Sequence, residues 1–214
     1  MDSPLTNSLP FSLYLISDRT QCSGRSLVEA LVQACQAGVR GVQLREKDLT
    51  PADFLRLARD VRAALDPFHP ALLINDRADV ARVVEASGVH LPESGLPPAA
   101  ARQCLRPGSL IGVSTHSVDS ACRAQDAGAD FITFGPVFFT PSKASYGPPL
   151  GLDALEQTVR TVRLPVFAIG GITPERARSC LDAGAHGVAV ISAILAAPDI
   201  PGAVAAFRET MGKI

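Results

Sequence analysis

The chain of 214 residues carries 20 Lys and Arg against 21 Asp and Glu, for a formal net charge of -1, and 47% of it is apolar. That composition supplies a packed core, excludes a disordered chain and leaves no basic footprint for nucleic acid. No run approaches the roughly 20 apolar residues of a membrane span. The opening MDSPLTNSLP has neither the basic start nor the apolar run of a secretory leader, so the expectation is a cytoplasmic protein.

Eight short apolar runs recur along the chain: FSLYLISD (11–18), GVQLRE (41–46), ALLIND (71–76), GVHLPE (88–93), LIGVST (110–115), FITFGP (131–136), PVFAIGG (165–171) and GVAVIS (187–192). Each is nearly continuous, which is how a parallel strand buried on both faces reads. Between them lie segments of helical period. SLVEALVQACQAG places Leu27, Ala30, Leu31, Val32 and Cys35 on one side. PADFLRLARDVRAAL opens with Thr50 as N-cap and Pro51 at the first helical position, and Thr173-Pro174-Glu175 repeats the device. The glycines of three Ala-Gly pairs, Gly38, Gly128 and Gly184, end helices immediately before strands. Strands alternating with helices predict a single α/β domain, a (β/α)8 TIM barrel over residues 11–214 preceded by a tail over 1–10. A doubly wound open sheet is disfavoured because no G-x-G-x-x-G follows the first strand.

The five cysteines (Cys22, Cys35, Cys104, Cys122, Cys180) form no C-x-x-C pair. The four in helical segments read as small buried hydrophobes in a reducing compartment.

A barrel of this kind does its chemistry at the C-terminal ends of its strands, so the polar residues closing each run are the candidates. After the second strand, alternation puts Gln43, Arg45 and Lys47 on one side as an anion platform. After the third, Asn75 can donate to a phosphate and Asp76 can bind Mg2+. The fifth ends in Ser114-Thr115-His116-Ser117, where His116 among hydroxyls is a candidate acid or base. The sixth runs into the long FGPVFFTPSKASYGPPLG loop, offering Thr140, Ser142 and Lys143 to a phosphate. Gly170-Gly171 and Ile191-Ser192 close the last two strands, where such barrels bind phosphate through backbone N–H groups. Two anionic groups at opposite sides of one mouth suggest a diphosphate-leaving or phosphate-transfer reaction. His69 and His186 read as solvent or capping groups, and His90 as a core histidine as readily as a catalytic one.

QLREK (43–47), LLINDR (72–77), GVHL (88–91), IGVSTHS (111–117), FGPVFFTPSK (134–143), AIGGIT (168–173) and GVAVIS (187–192) together resemble the thiamine phosphate synthase and thiazole tautomerase superfamily, nearer to its synthase branch. The resemblance runs from about Leu13 through nearly the whole chain. It implies condensation of hydroxymethylpyrimidine diphosphate with a thiazole phosphate, releasing pyrophosphate and thiamine phosphate. By that resemblance Gln43, Leu44, Arg45, Glu46, Lys47 and Asn75 hold the pyrimidine diphosphate, Asp76 binds Mg2+, and Ser114 and Lys143 contact the pyrimidine. Thr140, Pro141, Ser142, Gly171, Ile191 and Ser192 match positions that bind the thiazole phosphate. Arg45, Ser114, His116 and Lys143 are the expected catalytic set. Small-molecule substrates are the implied partners, with room for a homodimer.

The motif departs after the fourth strand, where the synthase pattern G-V-H-L-G-Q-x-D reads Gly88-Val89-His90-Leu91-Pro92-Glu93-Ser94-Gly95. The second Mg2+ carboxylate position is thus Gly95, with Glu93 as a candidate substitute. That loss resembles the tautomerase branch, in which His116 would shuttle a proton.

Overall fold

The computed structural model describes residues 9–140 and 147–212. Parallel strands β1 (Leu13–Ile16), β2 (Gly41–Leu44), β3 (Ala71–Asn75), β4 (Gly88–Leu91), β5 (Leu110–Thr115), β6 (Phe131–Phe134), β7 (Val166–Ile169) and β8 (Gly187–Val190) pair in sequence order. Pairing of β1 with β8, Tyr14 opposite Ala189, closes the barrel expected from the sequence. Helices α1 (Leu27–Gln36), α2 (Pro51–Leu65), α3 (Ala78–Val83), α4 (Pro98–Cys104), α5 (Val118–Asp126), α6 (Gly151–Thr161) and α7 (Pro174–Asp182) fill the crossovers, and α8 (Ser192–Leu195) and α9 (Ile200–Met211) follow β8.

The helix starts obey the local chemistry in the sequence. Thr50 and Thr173 each accept a backbone N–H of the first turn, with proline just inside the helix. Ser26 and Glu29 close a reciprocal capping box on α1. The cap glycines Gly38, Gly128 and Gly184 take φ of 115°, 88° and 89°, a left-handed turn that lets the chain re-enter the sheet within a few residues.

Alternation along each strand divides the core in two. Outward residues such as Leu15, Val42, Leu44, Ile74, Val89, Ile132 and Val188 pack under the helices. Inward residues Phe11, Tyr14, Leu73, Phe131, Phe167 and Ala189 fill the barrel. The inner rings touch one another, Phe131 meeting Phe167 at 5.5 Å and Tyr14 at 5.7 Å between centroids. Glycine makes space for them: a Cβ at Gly41 would lie 2.4 Å from the Phe11 ring, and one at Gly112 would lie 2.4 Å from Phe131 Cζ. Each buried ring stabilises the barrel by roughly 1.5–3 kcal/mol through removal from water.

Among the cysteines, Cys22, Cys35 and Cys180 are buried and Cys122 is half-buried, whereas Cys104, at the end of α4, is exposed, contrary to the expectation of burial. His186, expected as a solvent or capping group, is half-buried: its Nε2 lies 3.1 Å from the Phe11 carbonyl and its ring stands edge-on to Phe167.

Candidate active site at the barrel mouth

Directly beneath the mouth the barrel interior turns polar. Gln43, on β2, donates from Nε2 to the Tyr14 hydroxyl at 3.1 Å. That hydroxyl stands 3.4 Å from His90 Nδ1, and His90 Nε2 stands 3.0 Å from Ser114 Oγ and 3.5 Å from Thr133 Oγ1. Gln43, His90 and Thr133 are each at most 2% exposed, so these bonds replace water that cannot enter. Burial, aided by the positive charge of Arg45, pushes the His90 imidazole down to about 3, so the ring is neutral at physiological pH. Burial also drives the Tyr14 phenol well above its ordinary range.

Above this layer stands the rim. Arg45 and Asn75 are half-buried, and Lys47 and Asp76 are exposed. Among the described residues none of these four side chains has a hydrogen-bond or ion-pair partner. Two unpaired cations, an amide and a carboxylate at the C-terminal ends of β2 and β3 are electrostatically unfinished, as a ligand site is. Asp76 itself has φ of 62° and donates its N–H to the His90 carbonyl at 2.9 Å, which fixes the backbone that carries the carboxylate.

Leu44 and Glu46, expected with the same platform, are turned the other way by alternation. Leu44 is fully buried in the core between sheet and helices. Glu46 accepts from Ser17 Oγ at 2.6 Å and from the Arg19 N–H at 3.2 Å, and pairs with the Arg19 guanidinium at 3.2 Å. Ser17 Oγ in turn accepts from the Arg45 N–H at 2.8 Å, so this carboxylate anchors the backbone that carries Arg45.

The opposite side of the mouth is built from backbone. The segments after β6 and β7 stay paired beyond the strands, Val137 N–H to Ile169 O at 2.8 Å and Phe138 N–H to Gly170 O at 3.1 Å. Gly171 has φ of 63°, and a Cβ there would lie 2.4 Å from the Phe139 carbonyl, so only glycine allows the two loops this approach. Arg176 clamps the pair, donating to the Gly171 carbonyl at 2.7 Å and lying over the Phe138 ring at 4.9 Å. Ile191 and Ser192 begin the short α8, whose first N–H groups have no intrahelical acceptor. In barrel order β2 and β3 face β6 and β7, so the side-chain platform and the backbone cradle lie across the mouth from each other. Thr140 lies on the cradle side after β6, while Pro141, Ser142 and Lys143 lie outside the described residues.

His116 is exposed at the end of β5, its Nδ1 2.6 Å from Glu93 Oε2. The other Glu93 oxygen lies 3.3 Å from Arg123, so this carboxylate is engaged inside the protein. Among the described residues no group of three or more His, Cys, Asp and Glu side chains could hold a metal ion. The donor set suits a hard cation that takes one protein carboxylate, Asp76, and completes its shell with substrate oxygens and water. Position 95 adjoins that carboxylate: a Cβ on Gly95 would lie 3.1 Å from Asp76 Oδ1.

Reading by strand ends missed Tyr14, Thr133, Arg123 and Arg176. Tyr14 carried one usable signal, since a tyrosine within an otherwise aliphatic buried strand needs a partner for its hydroxyl.

Comparison with known proteins extends over almost the whole chain. The family model for thiamine monophosphate synthase matches residues 13–194. A Geobacter sulfurreducens protein, whose own assignment as a thiamine-phosphate synthase is provisional, is 54% identical over 88% of this chain and 89% of its own length. The thiamine-phosphate synthase of Clostridium novyi is 43% identical, covering 90% of this chain and 95% of that protein. Among solved structures, thiamine phosphate pyrophosphorylase from Pyrococcus furiosus superposes with a TM-score of 0.84 at 32% identity, covering 94% of this chain and 95% of that one. A 3-hexulose-6-phosphate synthase, at 18% identity and a TM-score of 0.70, shares the fold alone.

Proposed function

Since this chain belongs to the thiamine monophosphate synthase family, we infer that its barrel is a thiamine-phosphate synthase, a transferase of thiamine biosynthesis that joins hydroxymethylpyrimidine diphosphate to a thiazole phosphate and releases pyrophosphate. The observation that supports this reading is the set of side chains Arg45, Lys47, Asn75 and Asp76, unpaired among the described residues, facing a backbone cradle across one mouth. Two anionic substrates need two such subsites.

In this mechanism Arg45 and Lys47 bind the diphosphate and stabilise the charge that gathers on it as it departs. Gln43, Asn75 and Ser114 orient the pyrimidine, and Lys143 supplies a further cation from the loop after β6. Gly171, Ile191 and Ser192, with Thr140 and the adjoining Pro141 and Ser142, hold the thiazole phosphate. The thiazole nitrogen then bonds to the pyrimidine methylene carbon as that carbon's bond to the pyrophosphate oxygen breaks. Most of the barrier is lowered by positioning and by charge, with no strong base required. Asp76 would hold Mg2+ together with the diphosphate, where the ion would supply charge neutralisation for the leaving group. The free, scattered thiols support a cytoplasmic site of action.

A second reading rests on the His116–Glu93 pair, a base and its orienting carboxylate at the same mouth, which suits a thiazole tautomerase. One experiment separates them: pyrophosphate release from both substrates, with and without Mg2+, by the purified chain. Release that needs both substrates and the ion is the expected result. Absence of release from protein that isomerises the thiazole without Mg2+, and loses that activity in His116→Asn, would replace the synthase reading.

A further inference from the structure

We propose that Gln43, Tyr14 and His90 form a hydrogen-bond relay of fixed direction that turns the Ser114 hydroxyl proton toward the mouth, which makes Tyr14 and His90 positioning residues for the substrate Ser114 meets. The inference rests on the reading of Ser114 as a pyrimidine ligand; the direction of the relay rests on geometry alone.

The relay takes its direction from the Gln43 end. The Gln43 amide nitrogen can only donate, so at 3.1 Å the Tyr14 oxygen accepts from it. Tyr14 is fully buried among the Phe11, Phe131 and Phe167 rings, whose centroids lie 5.3–5.8 Å from its own. Among the described residues its proton therefore has one acceptor in reach, His90 Nδ1 at 3.4 Å. A neutral imidazole that accepts at Nδ1 carries its hydrogen on Nε2. That nitrogen faces Ser114 Oγ at 3.0 Å, with Thr133 Oγ1 more distant at 3.5 Å, so Ser114 is the acceptor. The serine proton is then free, and Ser114 is half-buried at the rim while His90 beneath it is 2% exposed. The proton turns to the mouth.

The reverse arrangement fails on its own account. With hydrogen on His90 Nδ1, the Tyr14 oxygen would accept from both neighbours, and its own proton would be stranded among aromatic rings. A buried donor without a partner costs more than a hydrogen bond contributes. Gly112 guards the geometry, since a Cβ there would lie 2.5 Å from His90 Nδ1 and push the ring off its slot. The polar atoms beneath the mouth therefore do more than satisfy one another. They select one of two rotamers for a hydroxyl that touches substrate.

The test uses the full folded chain, labelled with 15N-histidine, in a long-range proton–nitrogen correlation at neutral pH. The His90 signals, identified by their loss in His90→Gln, should show hydrogen on Nε2 alone, and Tyr14→Phe should produce a mixture of tautomers. Hydrogen on Nδ1 in the unaltered chain would overturn the relay. Kinetics then test its purpose. Tyr14→Phe should lower kcat about tenfold, the worth of one misdirected hydrogen bond, with KM for the pyrimidine diphosphate changed less than about twofold. In a Ser114→Ala background the same substitution should cost nothing further, because the group it acts through is gone. Independent, multiplicative losses would overturn the assignment, since a merely structural Tyr14 would give those. Full turnover in Ser114→Ala would likewise overturn the relay's part in turnover. Failure of the unaltered chain to release pyrophosphate would sink the activity reading instead, and the nitrogen signals would still decide the direction.

Discussion

Replacing Gly112 by alanine adds one methyl group at the point where the barrel has least room. The new Cβ would lie 2.4 Å from Phe131 Cζ, 2.5 Å from His90 Nδ1 and 2.8 Å from Phe131 Cε2. Carbon atoms rest about 3.5–4.0 Å apart, so both rings would have to move by about 1 Å. Neither has a free direction. Phe131 touches Phe11, Tyr14, His90 and Phe167 at centroid distances of 5.5–6.0 Å, and His90 is tied to Tyr14 and Ser114. The cost belongs at the top of the overpacking range, about 3 kcal/mol. For a chain of this length that lowers Tm by about 6–12 °C. Gly128→Ala is the matched control: its φ is 88° but nothing stands within 4 Å of a built Cβ, so it carries backbone strain only, about 1 kcal/mol and about 2–4 °C. Calorimetry on both variants measures the difference, and Phe131→Leu added to Gly112→Ala should recover part of the loss by vacating Cζ. Equal Tm changes in the two alanine variants would refute the claim that packing, rather than backbone freedom, requires glycine at 112.

Glu46→Ala should destabilise the chain by about 1–3 kcal/mol in urea unfolding, because it strands the buried Ser17 Oγ and the Arg19 N–H, while the exposed Arg19 guanidinium keeps Asp48; a loss under about 0.5 kcal/mol would remove Glu46 as the anchor of the Arg45 backbone. His90 has its ordinary pKa of 6.5 in the unfolded chain and about 3 when folded, so below pH 6.5 the unfolded chain gains the proton first. Its contribution is complete above pH 6.5 and is lost toward pH 3, at up to about 1.4 kcal/mol per pH unit. The stability gap between the unaltered chain and His90→Gln should therefore narrow by about 2 kcal/mol from pH 7 to pH 5, and a gap that stays constant would contradict a buried neutral imidazole. Gly95→Asp sets a second carboxylate beside Asp76, since the Cβ it adds would lie 3.1 Å from Oδ1. Without a divalent cation the repulsion should cost about 1–3 kcal/mol, and melts with Mg2+ should rise more than those of the unaltered chain; an equal rise would dissociate Asp76 from the metal.

The barrel was legible because its signals are local. A proline behind Thr50 or Thr173, a glycine after each Ala-Gly helix end, and runs such as GVAV fix elements from a few neighbouring residues. Alternation from Gln43 to Arg45 likewise gave one face of the platform. It failed to separate the two faces wherever both are apolar: nothing in LYLI distinguishes the inward Tyr14 from the outward Leu15, and register with β2 and β8 decides it. The partners that make His90 specific lie 76, 24 and 43 residues away in the chain, beyond the reach of any periodicity. Glu93 shows the same limit, since a carboxylate near a metal position reads as a ligand until His116 and Arg123, 23 and 30 residues on, are seen to hold it.

The two kinds of polar residue in this barrel differ in one physical respect. Those beneath the mouth are hydrogen-bonded to one another within the protein, and burial makes a misdirected alternative expensive, so one arrangement is favoured. Among the described residues, those on the rim, Arg45, Lys47, Asn75 and Asp76, have no side-chain partner although Glu46, Asp48 and Asp79 lie within a few residues of them in sequence. These acids are taken by Arg19 and Arg77 instead. Arg19 and Arg77 thereby keep neighbouring carboxylates from neutralising the platform. A charged substrate then meets cations that have no internal salt bridge to break, and its binding free energy goes to orientation rather than to exchange of partners.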